Sequence, residues 1–301
     1  MDRLREQDHE KIRRFDRLAE PPARIEAGVV VVTHDAVATE TIRPTFEALA
    51  AQTSSAFEVA VVDNSPERDL RPLLERTGGV NYLVSLDRNY GVNWARNLGS
   101  RVVDGEIVIF LDHDAIPRED FVEAHRRAHE PLDVAGIRGR VRPRTQTVYN
   151  ALADNYDLGD ERFPYVLDIE GNCSIERSAY EAVGGFDEDV WGHEGLRLTE
   201  KLVERFGVES VVYEPDAVIY HDFATSLFAL VKKKARHERA RDGIDASQSA
   251  AFDLYSRYRV PSTSRDRSFR ETVARHVAHR VTNAAGRALY PWLFSENHET
   301  H

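Results

Sequence analysis

The feature that most constrains this chain is a regular alternation, between residues 28 and 111, of short β-branched runs with stretches of helical pattern. A continuous run of Val and Ile bounded by polar residues is typical of a strand buried on both faces of a sheet. Strands that alternate with helices predict βαβ units and a mostly parallel sheet. The predicted strands are Gly28–Thr33, Phe57–Val62, Val80–Leu86 and Glu106–Leu111, and the predicted helices between them cover 39–52, 67–77 and 90–103.

The pattern is less regular outside that stretch. Residues 1–24 predict a charged helix with a thin apolar stripe that ends at Pro21-Pro22, where the missing N–H groups stop a helix. After a plausible strand over Val134–Val141, residues 142–165 predict irregular structure. The remaining predicted elements are helices at 176–183 and 194–206, short strands at Val211–Tyr213 and Ala217–Tyr220, and helical structure from 223 onward.

Composition argues against several functional classes. The 301 residues carry 40 Lys and Arg against 51 Asp and Glu, and this net charge of −11 argues against a general nucleic-acid binder, because phosphate binding needs a cationic surface. The single cysteine, Cys173, excludes an intramolecular disulfide. No apolar run approaches the roughly 18 residues of a spanning helix, and residues 1–20 lack an apolar centre. We therefore expect a protein of the cytoplasm, neither secreted nor integral to a membrane.

Carboxylates follow three of the four predicted strands of the first half, at Asp35, at Asp63 and at Asp112-His113-Asp114. Ligands of open α/β sheets bind beyond the carboxyl ends of the strands, so these residues are candidate site residues. Two carboxylates at i and i+2 on a tight turn can converge on one hard cation, Mg²⁺ or Mn²⁺, which commonly bridges protein carboxylates to substrate phosphates. The alternative is a solvated Asp-rich turn that caps the next helix.

Five segments in a fixed order resemble the family 2 glycosyltransferases. They are the opening from Val30 through Asp35 to Asn64, the segment Asn89–Gly99, the segment Ile109–Asp114, the segment Gly171–Ser178, and Val183–Glu188. The resemblance implies a GT-A fold over 28–222, in which a Rossmann-like, mostly parallel mixed sheet is flanked by helices. It also implies transfer of a sugar from a nucleoside diphosphate to an acceptor hydroxyl, usually with inversion at the anomeric carbon.

The resemblance implies an organisation of the chain and a donor site. A nucleotide-binding half over 28–115 and an acceptor half over 116–222 lie between an N-terminal helical extension, 1–27, and a helical C-terminal segment, 223–301. The residues implied in nucleotide-sugar binding are Thr33, Asp35, Asp63, Asn64, Asn89, Arg96 and Asp112. Those implied in binding Mn²⁺ or Mg²⁺ are Asp112, Asp114 and His221. Alternatives stay open: a surface ion pair for Arg96, loop shaping for Asn89, and a structural role for His221.

On the acceptor side, the resemblance implies that Gly171, Asn172 and Trp191 contact the acceptor. The family commonly carries the acidic pattern E-D-x-D/E-L before a helix, and this chain has Glu194-Gly195-Leu196-Arg197-Leu198 in its place. Glu194 is then the candidate base that takes the proton of the acceptor hydroxyl, with His193 in reserve. The alternative is that Glu194 only caps the helix over 194–206.

Two rival functions follow from the same residues. The Gly195 and Arg197 departures favour a degenerate relative that binds a nucleotide sugar without catalysis. A sugar nucleotidyltransferase would need a Gly-rich loop after the first strand, and residues 33–39 contain no glycine.

The C-terminal segment carries an uneven charge. Apolar residues 226–231 run directly into a basic stretch, 232–241, and a helical apolar stripe flanked by arginines follows within 268–294. Such a segment can lie on an anionic membrane, here the inner face of the plasma membrane, where a lipid-linked acceptor would be found. The default interpretation is a helix packed on the catalytic domain with its arginines in water. The partners expected from the sequence are therefore a nucleotide-diphosphate sugar and a glycan or lipid-linked acceptor.

Overall fold

The computed structural model of the chain describes residues 3–34, 39–65, 69–145, 147, 149–153, 155–190, 192–242, 277–278 and 280–289. Its strands are β1 Ile12–Arg17, β2 Ala27–Thr33, β3 Phe57–Asp63, β4 Tyr82–Leu86, β5 Ile107–Asp112, β6 Ile116–Pro117, β7 Gly136–Arg142, β8 Phe163–Pro164, β9 Asn172–Glu176 and β10 Val211–Tyr220. Its α-helices are α1 Glu6–His9, α2 Thr39–Ala50, α3 Arg71–Thr77, α4 Val92–Val102, α5 Phe121–Ala128, α6 Arg177–Ala182, α7 Glu194–Phe206 and α8 Leu227–Asp242. Short 3₁₀ turns lie at Asn150–Leu152 and Val208–Ser210, and residues 277–278 and 280–289 are helical.

One mixed sheet runs through the whole α/β part of the molecule, in the order β1-β4-β3-β2-β5-β9-β7-β10-β6, with β8 paired to β10. The four central strands β4, β3, β2 and β5 are parallel to one another, and β7 and β10 form a second parallel pair. The strand β9 lies antiparallel between β5 and β7 and thereby joins the two halves. The expected α/β class, a mostly parallel central sheet flanked by helices, is confirmed.

The apolar runs read as continuous because both faces of the central strands are covered. Along β2, Val29 and Val31 belong to a core that includes residues of α2 and α3. Val30 between them belongs to a second core that includes residues of α4, α6 and α7. All three side chains are at most 1% exposed, so no alternation between apolar and polar residues survives in the sequence.

The N-terminal helix predicted over 1–24 is wrong, since only α1 is helical there and residues 12–17 form the edge strand β1. The pairing of β1 with β4 shifts register between Ile12 and Arg14. A bulge of this kind brings residues three apart onto one face, and Ile12 and Phe15 both pack against the same core. That spacing is also typical of a helix, which explains the error.

The two short strands predicted at 211–213 and 217–220 are one strand, β10. Its pairing with β7 is interrupted between Glu214 and Val218, where Pro215 cannot donate to the ladder. From Leu227 onward, the described parts of the chain are helical, four residues later than the predicted start at 223. Among the helices of the described ranges, none is both long and apolar enough to cross a membrane.

Candidate active site

The first two site residues lie at the carboxyl ends of β2 and β3. Thr33 and Asp63 are cross-strand partners, and the Thr33 Oγ1 donates a hydrogen bond of 2.8 Å to the Asp63 Oδ1. Both residues are fully buried. The hydroxyl therefore fixes the Asp63 carboxylate at the edge of the sheet where ligands of this fold class bind. Direct contact of either residue with a nucleotide stays a prediction.

Asn64 and Asn89, both predicted to bind the nucleotide, bind each other. The Asn64 Nδ2 donates to the Asn89 Oδ1 at 2.8 Å, and the Asn64 Oδ1 accepts the backbone N–H of Tyr90 at 2.9 Å. The Asn89 Oδ1 also accepts the N–H of Gly91 at 2.8 Å. These bonds fold the loop before α4 back onto the end of β3, which supports the loop-shaping interpretation of Asn89.

Arg96 connects α4 to the end of β5. Its side chain is only 10% exposed, its Nη2 lies 3.6 Å from the Asp112 Oδ1, and its guanidinium lies 5.3 Å from the centroid of the Phe186 ring. Asp112 is in turn the cross-strand partner of Val32 in β2, one residue from Thr33. The predicted nucleotide-binding residues Thr33, Asp63, Arg96 and Asp112 therefore come together at one edge of the sheet.

Asp114 lies on the turn after β5 and faces the end of β10. The His221 Nε2 lies 3.4 Å from the Asp114 Oδ2, and the opposite ring nitrogen, Nδ1, lies 2.9 Å from the hydroxyl of Tyr156. Burial by itself raises the pKa of Asp114, but the hydrogen bond and charge of His221, with a smaller effect of His113, hold that pKa well below its usual range. Asp114 is thus kept ionised beside an imidazole.

Tyr156, the partner of His221, has a strongly perturbed phenol. Burial raises the pKa of this phenol, and the negative charges of Asp112 and Asp114 raise it further. The turn between Asp112 and Asp114 is anchored to β2, because the His113 Nδ1 lies 3.1 Å from the carbonyl oxygen of Val32.

Asp114 and His221 could supply two of the ligands of a divalent cation. A carboxylate oxygen and an imidazole nitrogen 3.4 Å apart can share one ion, and the contact of His221 with Tyr156 orients the ring as ligating histidines are normally oriented. Mg²⁺ and Mn²⁺ are typically held by one or two protein side chains together with substrate phosphates. The described residues contain no group of three His, Cys, Asp or Glu side chains able to hold a metal by itself.

Gly171 and Asn172 lie where β9 begins, against the end of β5. A Cβ on Gly171 would lie 1.9 Å from the Asp112 Cγ, so only glycine lets the Asp112 carboxylate lie there. The Asn172 side chain is fully buried, and its contact with the acceptor stays a prediction. Its amide nitrogen donates to the carbonyls of Arg140 and Ala217, and its amide oxygen lies 3.1 Å from the His125 Nε2.

The candidate base lies at the start of α7. The Glu194 Oε1 accepts the backbone N–H of Gly192 at 2.9 Å. His193 precedes it in the left-handed region, at φ 62°, a conformation that is uncommon for a residue other than glycine. Both side chains are partly exposed, so the sequence-based assignment of a base at this position is compatible with the structure but is not tested by it.

A second carboxylate, which the sequence analysis missed, lies beside Glu194. The Glu170 Oε1 accepts the backbone N–H of Gly195 at 2.8 Å. Burial and the negative charge of Glu194 raise the pKa of Glu170 to about 7, against the opposing effects of Arg96 and of the Gly195 N–H. Glu170 directly precedes the Gly171 motif, which is the one signal that could have drawn attention to it.

Tyr156 was also missed, since it lies in the irregular stretch where the sequence shows no pattern. Two predicted site residues, Asp35 and Trp191, lie outside the described residues. The remaining ones fall in two groups joined by the contact between Gly171 and Asp112. The group predicted to bind the donor, called the donor group, lies at the ends of β2, β3, β5 and β10 and in and before α4, and the group predicted to face the acceptor, called the acceptor group, lies around β9 and α7.

Comparison with known proteins identifies the family of the chain. A family model described as glycosyl transferase family 2 matches residues 28–182. A glucosyl-dolichyl phosphate glucuronosyltransferase of Haloferax volcanii is 24% identical over 227 residues, which is 65% of this chain and 69% of that protein. A pre-mycofactocin glycosyltransferase of Mycobacterium tuberculosis is 30% identical over 154 residues, 47% of this chain but only 32% of that protein.

Solved structures show the same fold. The mannosyltransferase PcManGT from Pyrobaculum calidifontis, in complex with GDP-Man and Mn²⁺, superposes with a TM-score of 0.55 at 18% identity, covering 94% of this chain and 92% of that one. The structure of S. aureus TarS 1-349 in complex with UDP-GlcNAc has a TM-score of 0.52 at 14% identity, covering 77% of this chain and 71% of that one.

Proposed function

This chain belongs to glycosyl transferase family 2, and on that premise we propose that it is an inverting, metal-assisted glycosyltransferase with a lipid-linked or glycan acceptor. One observation carries the proposal: Asp112, at the end of a central strand, lies against Gly171, beside the carboxylates at the start of α7. A donor placed over Asp112 would therefore have its anomeric carbon near groups able to accept a proton. The altered acidic segment alone would favour a binding protein without activity, but Glu170 supplies a second carboxylate there.

The donor side provides charge. Asp114 and His221 would hold the divalent cation, and Asp112 with Arg96 would contact the nucleotide, as would the pair Thr33 and Asp63. Bound there, the cation would neutralise charge that grows on the departing diphosphate, an effect worth several kcal/mol in a dry site. Tyr156 holds His221 in the orientation that presents its Nε2 to this position.

The acceptor side provides the base. In direct displacement, the oxygen of the acceptor hydroxyl bonds to the anomeric carbon, the bond from that carbon to the phosphate oxygen breaks with its electrons leaving on the nucleotide, and the hydroxyl proton goes to the enzyme. Glu194 is the proposed proton acceptor, because its partly exposed carboxylate is fixed by the Gly192 N–H at the start of α7.

The start of α8 supports contact with a membrane. Leu227 and Phe228 are 57% and 61% exposed, and on the other C-terminal helix Val277 and Val281 are 54% and 62% exposed. The helices touch, since a Cβ on Gly286 would lie 2.9 Å from the Lys234 Cβ. Exposed apolar residues next to the basic stretch 232–241 suit an anionic lipid surface.

The membrane proposal has a direct measurement. Wild-type protein should co-sediment with anionic vesicles at low salt, and the double change Leu227→Ser with Phe228→Ser should reduce the bound fraction several-fold. If both proteins bind the vesicles equally, or if neither binds, the membrane proposal is wrong. The default interpretation, in which the segment only packs on the catalytic domain, then holds.

The donor proposal is tested by thermal shift with UDP and GDP, each with and without Mn²⁺. A ligand at 100 times its Kd stabilises the folded state by about 2.7 kcal/mol, so a Mn²⁺-dependent shift is expected. Asp114→Asn should abolish the dependence on Mn²⁺, whereas Asp133→Asn, an exposed carboxylate distant in sequence, should not. The non-catalytic alternative would be favoured if the protein binds the nucleotide but releases no UDP or GDP from any UDP-sugar or GDP-sugar. The acceptors offered in that assay are free sugars and dolichyl-phosphate-linked sugars.

A further inference from the structure

Glu170 and Glu194 come from separate segments and meet at the N-terminus of α7. Glu170 lies just before β9, and its Oε1 accepts the N–H of Gly195, the second residue of the helix, at 2.8 Å. Glu194 is the first residue of the same helix, and its Oε1 is bound by the N–H of Gly192 at 2.9 Å. Each carboxylate is therefore fixed through one oxygen by the backbone.

Gly195 explains why Glu170 can lie there. A Cβ at this position would lie 1.8 Å from the Leu167 carbonyl oxygen and 2.9 Å from the Glu170 Oε1. The carboxylate of Glu170 thus borders the place where a side chain of residue 195 would begin. The related family pattern carries an acid at that position, and here the carboxylate of Glu170, from the segment before β9, lies next to it.

Glu170 is also joined to the donor side. Its neighbour Gly171 packs directly on the carboxylate of Asp112, whose partner Arg96 lies near enough to Glu170 to lower its pKa. Of the carboxylates at the start of α7, Glu170 is the one adjacent in sequence to a residue that touches the donor group. It lies at the junction where donor and acceptor must meet.

Two carboxylates that bind neighbouring backbone N–H groups at one helix start, both partly buried, do not both ionise without cost, and the pair then holds protons as a unit. Burial and the charge of Glu194 are the two largest effects on Glu170, and both raise its pKa, to about 7. A base with a pKa near the working pH combines an available ionised form with a useful driving force for proton transfer.

We propose that Glu170 is a further catalytic residue of this site and that Glu170 and Glu194 together form the group that accepts the proton of the acceptor hydroxyl. The inference rests on the proposed transfer reaction. The hydroxyl proton moves to the pair as the hydroxyl oxygen bonds to the anomeric carbon, and the electrons of the broken carbon–oxygen bond leave with the nucleoside diphosphate. Gly195 makes room for the second carboxylate of the pair.

The test compares the wild type with Glu170→Gln, Glu194→Gln and the double variant in an assay of nucleotide release. The donors are UDP-glucose, UDP-glucuronate, UDP-N-acetylglucosamine and GDP-mannose, each with Mn²⁺, and the acceptor probe is glucosyl-dolichyl phosphate. Each single variant should lower kcat about 100-fold or more with little change in the donor KM, and the double variant should be scarcely worse than the more impaired single one. Glu204→Gln, an exposed residue of the same helix, is the control and should behave as wild type.

Two further readouts separate the pair from a structural role. The wild-type kcat should rise with pH through an inflection near neutrality, and Glu170→Gln should remove or displace that inflection. Infrared difference spectra of the unmodified chain near pH 6 should show a protonated carboxylic acid that disappears as the pH rises. This measurement needs neither turnover nor a variant that folds.

The outcomes are distinguishable. An active wild-type enzyme whose Glu170→Gln variant keeps the same kcat and pH profile, or a wild type without the carboxylic-acid band, would overturn the pair and leave the transfer reaction intact. Independent, multiplicative losses in the double variant would also overturn it. A wild type that binds UDP and GDP but releases neither from its sugar would instead overturn the proposed function.

Discussion

Residues 28–115 and residues 116–222, the proposed nucleotide and acceptor halves, hold their loops by different means. In the first, short side chains at strand ends do so, as Thr33 binds Asp63 and Asn64 binds Asn89. In the second, a fully buried arginine, Arg138, lies 2.9 Å from Asp168 and donates to the carbonyls of Gly139 and Tyr156. The acceptor half therefore holds its loops with a fully buried cation, whereas the nucleotide half uses short polar side chains, one of which donates to the buried Asp63 carboxylate.

This difference matters because an interior charge tolerates no partial loss. Removing one partner of a buried ion pair leaves the other charge uncompensated, whereas removing one hydroxyl that donates to a carboxylate has a smaller effect. The acceptor half should accordingly be the more sensitive of the two to single substitutions.

The largest effect is expected for Arg138→Met. The change removes the cation that faces Asp168, whose side chain is 3% exposed, and should lower the free energy of unfolding by about 4 kcal/mol. Thr33→Val, which removes one hydrogen bond to the Asp63 carboxylate in the nucleotide half, should lower it by about 2 kcal/mol. Urea denaturation of both variants checks the contrast, and comparable losses would show that the two halves do not differ in this way.

A somewhat smaller effect is expected for Gly195→Ala. The new Cβ would meet the Leu167 carbonyl oxygen at 1.8 Å, and since backbone cannot move aside cheaply, about 3 kcal/mol should be lost. Gly99→Ala in the nucleotide half meets a side-chain methyl of Val30 and should lose less. Gly136→Ala, where the nearest atom is 3.4 Å away, is the control, and an equal loss there would contradict the argument.

The smallest effect is a dependence of stability on pH. Burial lowers the pKa of His125 to about 3 and that of His129 to about 4, and both rings contact the Ser174 hydroxyl at 2.8 Å. The unfolded histidines titrate near 6.5, so below that pH the unfolded state binds more protons than the folded state. The contribution of these histidines to the free energy of unfolding is therefore fully present above about pH 6.5 and is lost as the pH drops toward 4.

The loss should be on the order of 2 kcal/mol per histidine at pH 5. His125→Gln should be less stable than wild type at pH 7 but should lose less between pH 7 and pH 5. His9→Gln, at an exposed position, is the control. If the free energy of unfolding of His125→Gln depends on pH as steeply as that of the wild type, other groups cause the acid sensitivity.

The same contrast explains how far the sequence could predict the molecule. The strands β2, β3 and β5 were placed within one residue or so because their Val and Ile runs reflect burial on two faces, which is a local property. The strand β1 was mistaken for a helix because its bulge gives Ile12 and Phe15 a helical spacing.

The site was predictable to the extent that its residues end strands. Asp63, Asp112 and Asp114 are candidates from that position, and His221 is a candidate from its resemblance to a family pattern; their roles stay predictions. Glu170 and Tyr156 were not, because their roles depend on contacts with Gly195 and His221, which are 25 and 65 residues away along the chain. Pairings of this kind leave no periodic trace in a single sequence.

The edge strand β1 has a consequence for how the molecule behaves in concentrated solution. It covers β4, whose five residues are all buried, and it offers Arg13, Arg14 and Arg17 at the outer margin of the sheet. An exposed apolar strand would be a template on which neighbouring molecules could add strands and aggregate, whereas a short, twisted, arginine-rich strand is a poor one. The N-terminal residues thus protect the colloidal stability of the protein as well as completing its core.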